Sequence, residues 1–131
     1  MSDLDTKLKD ALNNYSIALN SLKESSLRDL SDPVIIAGLI KNFEFSYELS
    51  WVTLKRYLEK EGHLINTARE AFSKAYEINL IENESLWLEM IKDRNKTVHT
   101  YDKEFAKSMV ERIVKRYLPE LQLLLQKIII K

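Results

Sequence analysis

The segment Arg94-Asn95-Lys96-Thr97-Val98-His99-Thr100-Tyr101 gathers the side chains of this sequence that can do chemistry. Arg94 carries a permanent positive charge on a planar fork of donors that matches the oxygens of a phosphate. His99 can give or take a proton. Asn95 adds an amide that can hold an imidazole or an oxygen, and Tyr101 adds a hydroxyl. Together they suffice in principle for phosphodiester chemistry with no metal ion and no cofactor. No cysteine, Gly-rich phosphate loop, His-Glu-x-x-His pair or nucleophile elbow offers a competing chemistry.

The same residues also have a plain structural reading. On a helical wheel of about 100° per residue, Trp87, Ile91, Arg94 and Val98 share one stripe, while Lys92 and Lys96 face away. Arg94 then points toward a core or a partner, where it can serve as an ion-pair or capping residue. His99 near a helix end can satisfy free carbonyls, and Tyr101 can simply pack at a junction. Asn95 and His99, four apart, lie together on the flank of the stripe. Arg94 and His99 are five apart, so a continuous helix splays them by about 140°. They converge only if the helix frays after Val98 or a second subunit completes the site.

Other residues with chemical potential read as structural. His63 follows Gly62 in a loop without an evident partner. Glu44 and Glu48 lie one turn apart and can bind a cation or orient a histidine. With Lys41 and Lys55 on the same helix, that pair reads as a solvated face. Trp51 and Trp87 are expected in a core or interface rather than in a base-stacking platform.

These groups must be positioned by helices. Leu4, Leu8, Leu12, Tyr15, Leu19 and Leu22 recur at steps of three and four and predict a first amphipathic helix. Asp32 and Pro33 supply an N-cap and a first-turn proline for a second, carrying Ile36, Ile40, Phe43, Tyr47, Trp51, Leu54 and Leu58 and stopping at Gly62. Thr67-Ala68-Arg69-Glu70 reads as a capping box opening a short third helix with Ala71, Phe72 and Ala75. Asn83 caps a fourth through Leu86, Trp87, Met90 and Ile91, which runs into the Arg94 segment. Asp102 caps a fifth with Phe105, Met109, Ile113, Tyr117, Leu121 and Leu124 on one face. Pro119 removes a hydrogen bond there and predicts a kink or break near Tyr117. With no alternating strand pattern, the expectation is a single all-α domain over residues 1–131, an up-and-down four-helix bundle with an additional short helix.

Composition sets the outer limits. The 131 residues fit one domain, and two glycines with two prolines leave long helices as the natural reading. Twenty basic and twenty acidic residues cancel. A non-specific nucleic-acid coat is strongly basic, so any RNA contact here is expected to be local. The chain has no cysteine, no signal-peptide pattern at Met1–Asp5 and no apolar run near the roughly 18 residues a bilayer demands. We therefore expect a cytoplasmic protein without a membrane partner.

Phe43-Glu44-Phe45-Ser46-Tyr47-Glu48-Leu49-Ser50-Trp51, continuing to Leu54-Lys55-Arg56-Tyr57-Leu58, resembles the second helix of the nucleotidyltransferase substrate-binding family within the HEPN superfamily. Thr67 to Phe72, Leu86 to Met90, and Arg94-Asn95 followed by His99-Thr100-Tyr101-Asp102 resemble it too, in the same order. The likeness runs from Phe43 to Tyr117. It implies a HEPN bundle, a homodimer with the two Arg-His segments meeting at the subunit interface, and pairing with a minimal nucleotidyltransferase (MNT) as toxin and antitoxin. The family motif R-x4-H-x-Y is matched by Arg94, His99 and Tyr101, with Asn95 at the polar position after the arginine. By that resemblance the activity is metal-independent RNA cleavage through Arg94, Asn95 and His99, and the transferase attaches AMP to Tyr101. The family's older name implies the rival role of a non-catalytic, substrate-binding subunit. A purely structural dimer is a third reading.

Overall fold

The computed structural model describes residues 2–130, and every regular element among them is helical. The order is α1 (Asp3–Ser26), α2 (Pro33–Lys60), α3 (Ala68–Glu77), α4 (Glu84–Lys96), a 3-10 turn (Thr97–His99), α5 (Lys103–Arg112), a π turn (Ile113–Tyr117) and α6 (Leu118–Ile129). The all-α expectation holds, with α3 as the short extra helix. Among the described residues no helix is long and apolar enough to cross a membrane.

Local chemistry sets most boundaries. Asp32 caps α2 by accepting from the Val34 N–H at 2.8 Å, with Pro33 in the first turn. Asn83 caps α4 through the Leu86 N–H at 3.1 Å, and Asp102 caps α5 through Glu104 and Phe105. At α3 only half of the expected box forms. Thr67 accepts from the Glu70 N–H, but the Glu70 carboxylate reaches past Thr67 to the Asn66 N–H at 2.8 Å. Two helices end in Schellman motifs built on a left-handed residue. Gly62 has φ +92°, with His63 N–H bonded to the Leu58 carbonyl. Asn79 has φ +66°, with Leu80 N–H bonded to the Ala75 carbonyl.

The predicted fifth helix is interrupted where Pro119 demands it. Proline has no N–H for the carbonyl four residues back and its ring crowds that carbonyl. The chain responds upstream with a π turn, in which the Leu118 N–H reaches the Ile113 carbonyl five residues away, and α6 then starts with Pro119 in its first turn. Backbone angles stay helical through the junction, so the path changes register without becoming a loop.

Helices α1, α2 and the α5–α6 path pack on one another, and α3 carries α4 onto them. Phe43 and Tyr117 stack in the centre at 5.7 Å between ring centroids, and Phe72 meets Trp87 at 4.8 Å. The Tyr15 hydroxyl, fully buried, donates to the Leu121 carbonyl at 2.5 Å and ties α1 to α6. Burial raises the Tyr15 pKa well above the usual phenol range.

Candidate functional site

The site grows from the last turn of α4. Trp87 and Met90, both fully buried, fix that helix in the core. One turn on, Asp93 is only 7% exposed. Its carboxylate accepts from Arg112 Nε at 2.6 Å, from Arg112 Nη2 at 3.1 Å, and from the Tyr117 hydroxyl. A carboxylate in this position requires such partners, because an unpaired buried charge is costly. Desolvation first, then the hydrogen bond to Asp93, pushes the Tyr117 phenol far above its ordinary range, while the bond to Asp93 raises Arg112. Glu89 adds a bidentate pair with Arg116, at 2.9 and 2.8 Å. These contacts lock the end of α4 to α5 and the π turn. Sequence reading missed both, since neither Asp93 nor Glu89 stood out from the charged residues around it.

Arg94 leaves the helix on another side, toward α2. Its Nη1 lies 3.3 Å from Glu44 Oε2 and donates to Thr97 Oγ1 at 3.0 Å. Thr97, nearly buried, donates in turn to the Arg94 carbonyl at 2.8 Å. The Arg94 and Glu44 side chains are 30% and 22% exposed. Glu44 is therefore not part of a solvated acidic pair: Glu48 is exposed, whereas Glu44 faces the guanidinium. The neighbouring Tyr47 phenol is pushed up to about 12 by burial and by Glu48, with Arg94 pulling the other way.

After Lys96 the helix tightens into the 3-10 turn that carries His99. The imidazole is exposed and stands edge-on to two rings, Tyr101 at 6.0 Å and Phe105 at 6.4 Å. Its Nδ1 lies 3.5 Å from the Tyr101 hydroxyl. The Asp102 N–H closes the junction on the His99 carbonyl at 3.0 Å. Tyr101 is 81% exposed and Val98 70%, so the stripe of Trp87, Ile91, Arg94 and Val98 runs from the core out to the surface. Asn95 is exposed beside them.

The α-helix thus gives way to the 3-10 turn after Lys96, and Arg94 and His99 are held by different partners. Among the described residues no hydrogen bond joins them; one turns to α2 and the other to Tyr101 and Phe105. His63 is half-buried in its loop and Trp51 packs against the core. Among the described residues no three His, Asp or Glu side chains gather where a metal ion could be held.

Residues 10–129 match the family model described as nucleotidyltransferase substrate binding protein like. A probable ribonuclease HepT of Haemophilus influenzae is 37% identical over 86 residues, and the match spans 60% of this chain and 58% of that relative. A solved Haemophilus influenzae structure, described as revealing the fold of a substrate binding domain of a nucleotidyltransferase, is 29% identical. It covers 95% of this chain and 96% of its own, with a TM-score of 0.67. A tri-AMPylated HEPN toxin of Shewanella oneidensis, solved in complex with MNT antitoxin, superposes over the whole of both chains with a TM-score of 0.76 at 16% identity.

Proposed function

This chain belongs to the nucleotidyltransferase substrate-binding-protein-like family, and on that footing we propose that it is an RNase toxin silenced by a cognate MNT antitoxin. The observation that carries the reading is the 3-10 turn after Arg94, which presents the exposed His99 imidazole beside the Tyr101 hydroxyl. The ribonuclease description of the Haemophilus relative and the toxin–antitoxin complex of the Shewanella neighbour support it.

In this mechanism the ribose 2′-hydroxyl attacks the adjacent phosphorus while the bond from phosphorus to the 5′-oxygen breaks. His99 takes the proton from the attacking hydroxyl or supplies one to the departing oxygen. Arg94 stabilises the negative charge that builds on the phosphorane, and groups aimed at developing charge usually make the larger contribution. Asn95 orients the imidazole or holds a phosphate oxygen. Requirement for a 2′-hydroxyl restricts the substrate to RNA. Because Arg94 and His99 diverge within one chain, the working site is a composite of two copies in a homodimer.

Silencing acts at Tyr101. With its hydroxyl 3.5 Å from His99 Nδ1 and most of the side chain exposed, the phenol is open to a partner enzyme. An AMP on that oxygen would set a phosphate charge and a bulky base against the imidazole. Like-charge repulsion and occlusion would then keep the RNA backbone out. The cytoplasm is the compartment where RNA and such a partner meet.

The test is cleavage of single-stranded RNA by the purified protein in EDTA. We expect 2′,3′-cyclic phosphate ends, intact DNA, and a loss of about a hundredfold or more in each of Arg94→Ala and His99→Ala. Wild-type activity persisting in both variants would overturn the reading. The alternative, a non-catalytic subunit that presents substrate to the transferase, is favoured by the description of the Haemophilus structure and by the zero net charge. A wild-type protein that leaves RNA intact but stimulates nucleotide transfer by the partner would establish that alternative.

A further inference from the structure

Arg94 is held from one side only. Its Nη1 faces two acceptors, the Glu44 carboxylate of α2 at 3.3 Å and the Thr97 hydroxyl at 3.0 Å. Its Nε is shielded from solvent and has no hydrogen-bond partner among the described residues. Leaving a donor unmet costs free energy, and a long, flexible side chain would ordinarily rotate to relieve it. Thr97 alone is a weak neutral anchor. The charged anchor is Glu44, fifty residues away in sequence.

We propose that Glu44 is a positioning residue for Arg94. Its charge beside Nη1 holds the guanidinium in place and leaves Nη2, which has no hydrogen-bond partner among the described residues, for an oxygen of a phosphodiester. The proposal rests on the reading of Arg94 as the group that stabilises an RNA phosphate.

Positioning and simple electrostatics predict opposite results. A carboxylate next to an RNA site repels phosphate, so if charge alone mattered, Glu44→Ala would speed cleavage. Positioning predicts that Glu44→Ala lowers kcat about tenfold or more. Glu44→Gln, which keeps the shape but loses the charge that draws Nη1, should fall between wild type and Glu44→Ala. Glu44→Met, which fills the same space, should behave as Glu44→Ala and covers the case in which the alanine protein folds poorly.

The deciding measurement is a double-mutant cycle on RNA cleavage, with thermal unfolding of each protein alongside. Removing Glu44 from an Arg94→Ala background should cost nothing further, because nothing remains to be positioned. A Glu44→Ala protein as active as wild type, a faster one, or a loss that multiplies with that of Arg94→Ala would each overturn the proposal while leaving the ribonuclease reading intact. A wild-type protein that neither cleaves nor binds a mixed-sequence single-stranded RNA would overturn both.

Discussion

Asp93 and Arg94 are adjacent in the last turn of α4, and their side chains leave it in different directions. Asp93 turns inward to Arg112 and Tyr117, whereas Arg94 turns toward α2 and retains an unmet donor. Truncation should therefore separate stability from activity. Asp93→Ala leaves Arg112 and the Tyr117 hydroxyl without their acceptor and should destabilise the fold by roughly 2–3 kcal/mol, read by urea unfolding. Arg94→Ala should leave the unfolding midpoint nearly unchanged, since its one charged contact is partly exposed. The motif residues were legible in the sequence because each side chain declares its chemistry by type. Their environments were not. The approach of Glu44 to Arg94 depends on the register of α2 against α4, which no local spacing encodes, and Asp93 looked like one more acid on a charged helix.

Helix boundaries belong to the scale at which sequence and structure agree best. Asp32 with Pro33, Asn83 and Asp102 cap the helices they were expected to cap, because capping is a bond between a side chain and a backbone N–H two or three residues away. Gly62 was legible as a stop for the same reason. Asn79 was not, although it ends α3 with the same left-handed turn, since asparagine adopts that conformation far less often than glycine. Gly62→Ala meets no neighbour, yet must hold a positive φ. It should cost about 1 kcal/mol, checked by denaturant unfolding. Pro119 foretold a break near Tyr117, but the π turn it induces lies upstream and keeps the chain helical. A further tie joins the start of α1 to the end of α2, where Lys60 Nζ meets Asp5 Oδ1 at 2.7 Å. The hydrogen bond from Lys60, and then that from Ser2, lower the Asp5 carboxyl from 3.8 to about 2. A lowered carboxyl pKa means stability that is present above the ordinary carboxylate range and is lost as pH falls toward 2. Wild type should be more stable than Asp5→Asn at pH 5, and unfolding curves of the two should converge by pH 2.

For the whole molecule, the arrangement of the motif argues for two copies. A single chain holds Arg94 against α2 and His99 against Tyr101 and Phe105, while Val98 and Tyr101 project at the surface between them. An exposed valine and tyrosine flanking groups that do not meet make sense if a second chain covers them, and a twofold axis through the motif would bring each Arg94 near the partner's His99. Sedimentation should give a dimer, and Val98→Glu, which puts a charge in that seam, should give a folded monomer that no longer cleaves RNA. Complementation gives the sharper measurement. Arg94→Ala and His99→Ala proteins should each be inactive alone, and unfolding and refolding them together should make about half the dimers mixed. If each site takes Arg94 from one copy and His99 from the other, every mixed dimer carries one intact site and one doubly altered site. Activity should then return to about a quarter of wild type, since half the dimers hold half their sites. A site built within each chain predicts no recovery, because no single chain in the mixture carries both residues, and a refolded mixture as inactive as its components would defeat the composite arrangement.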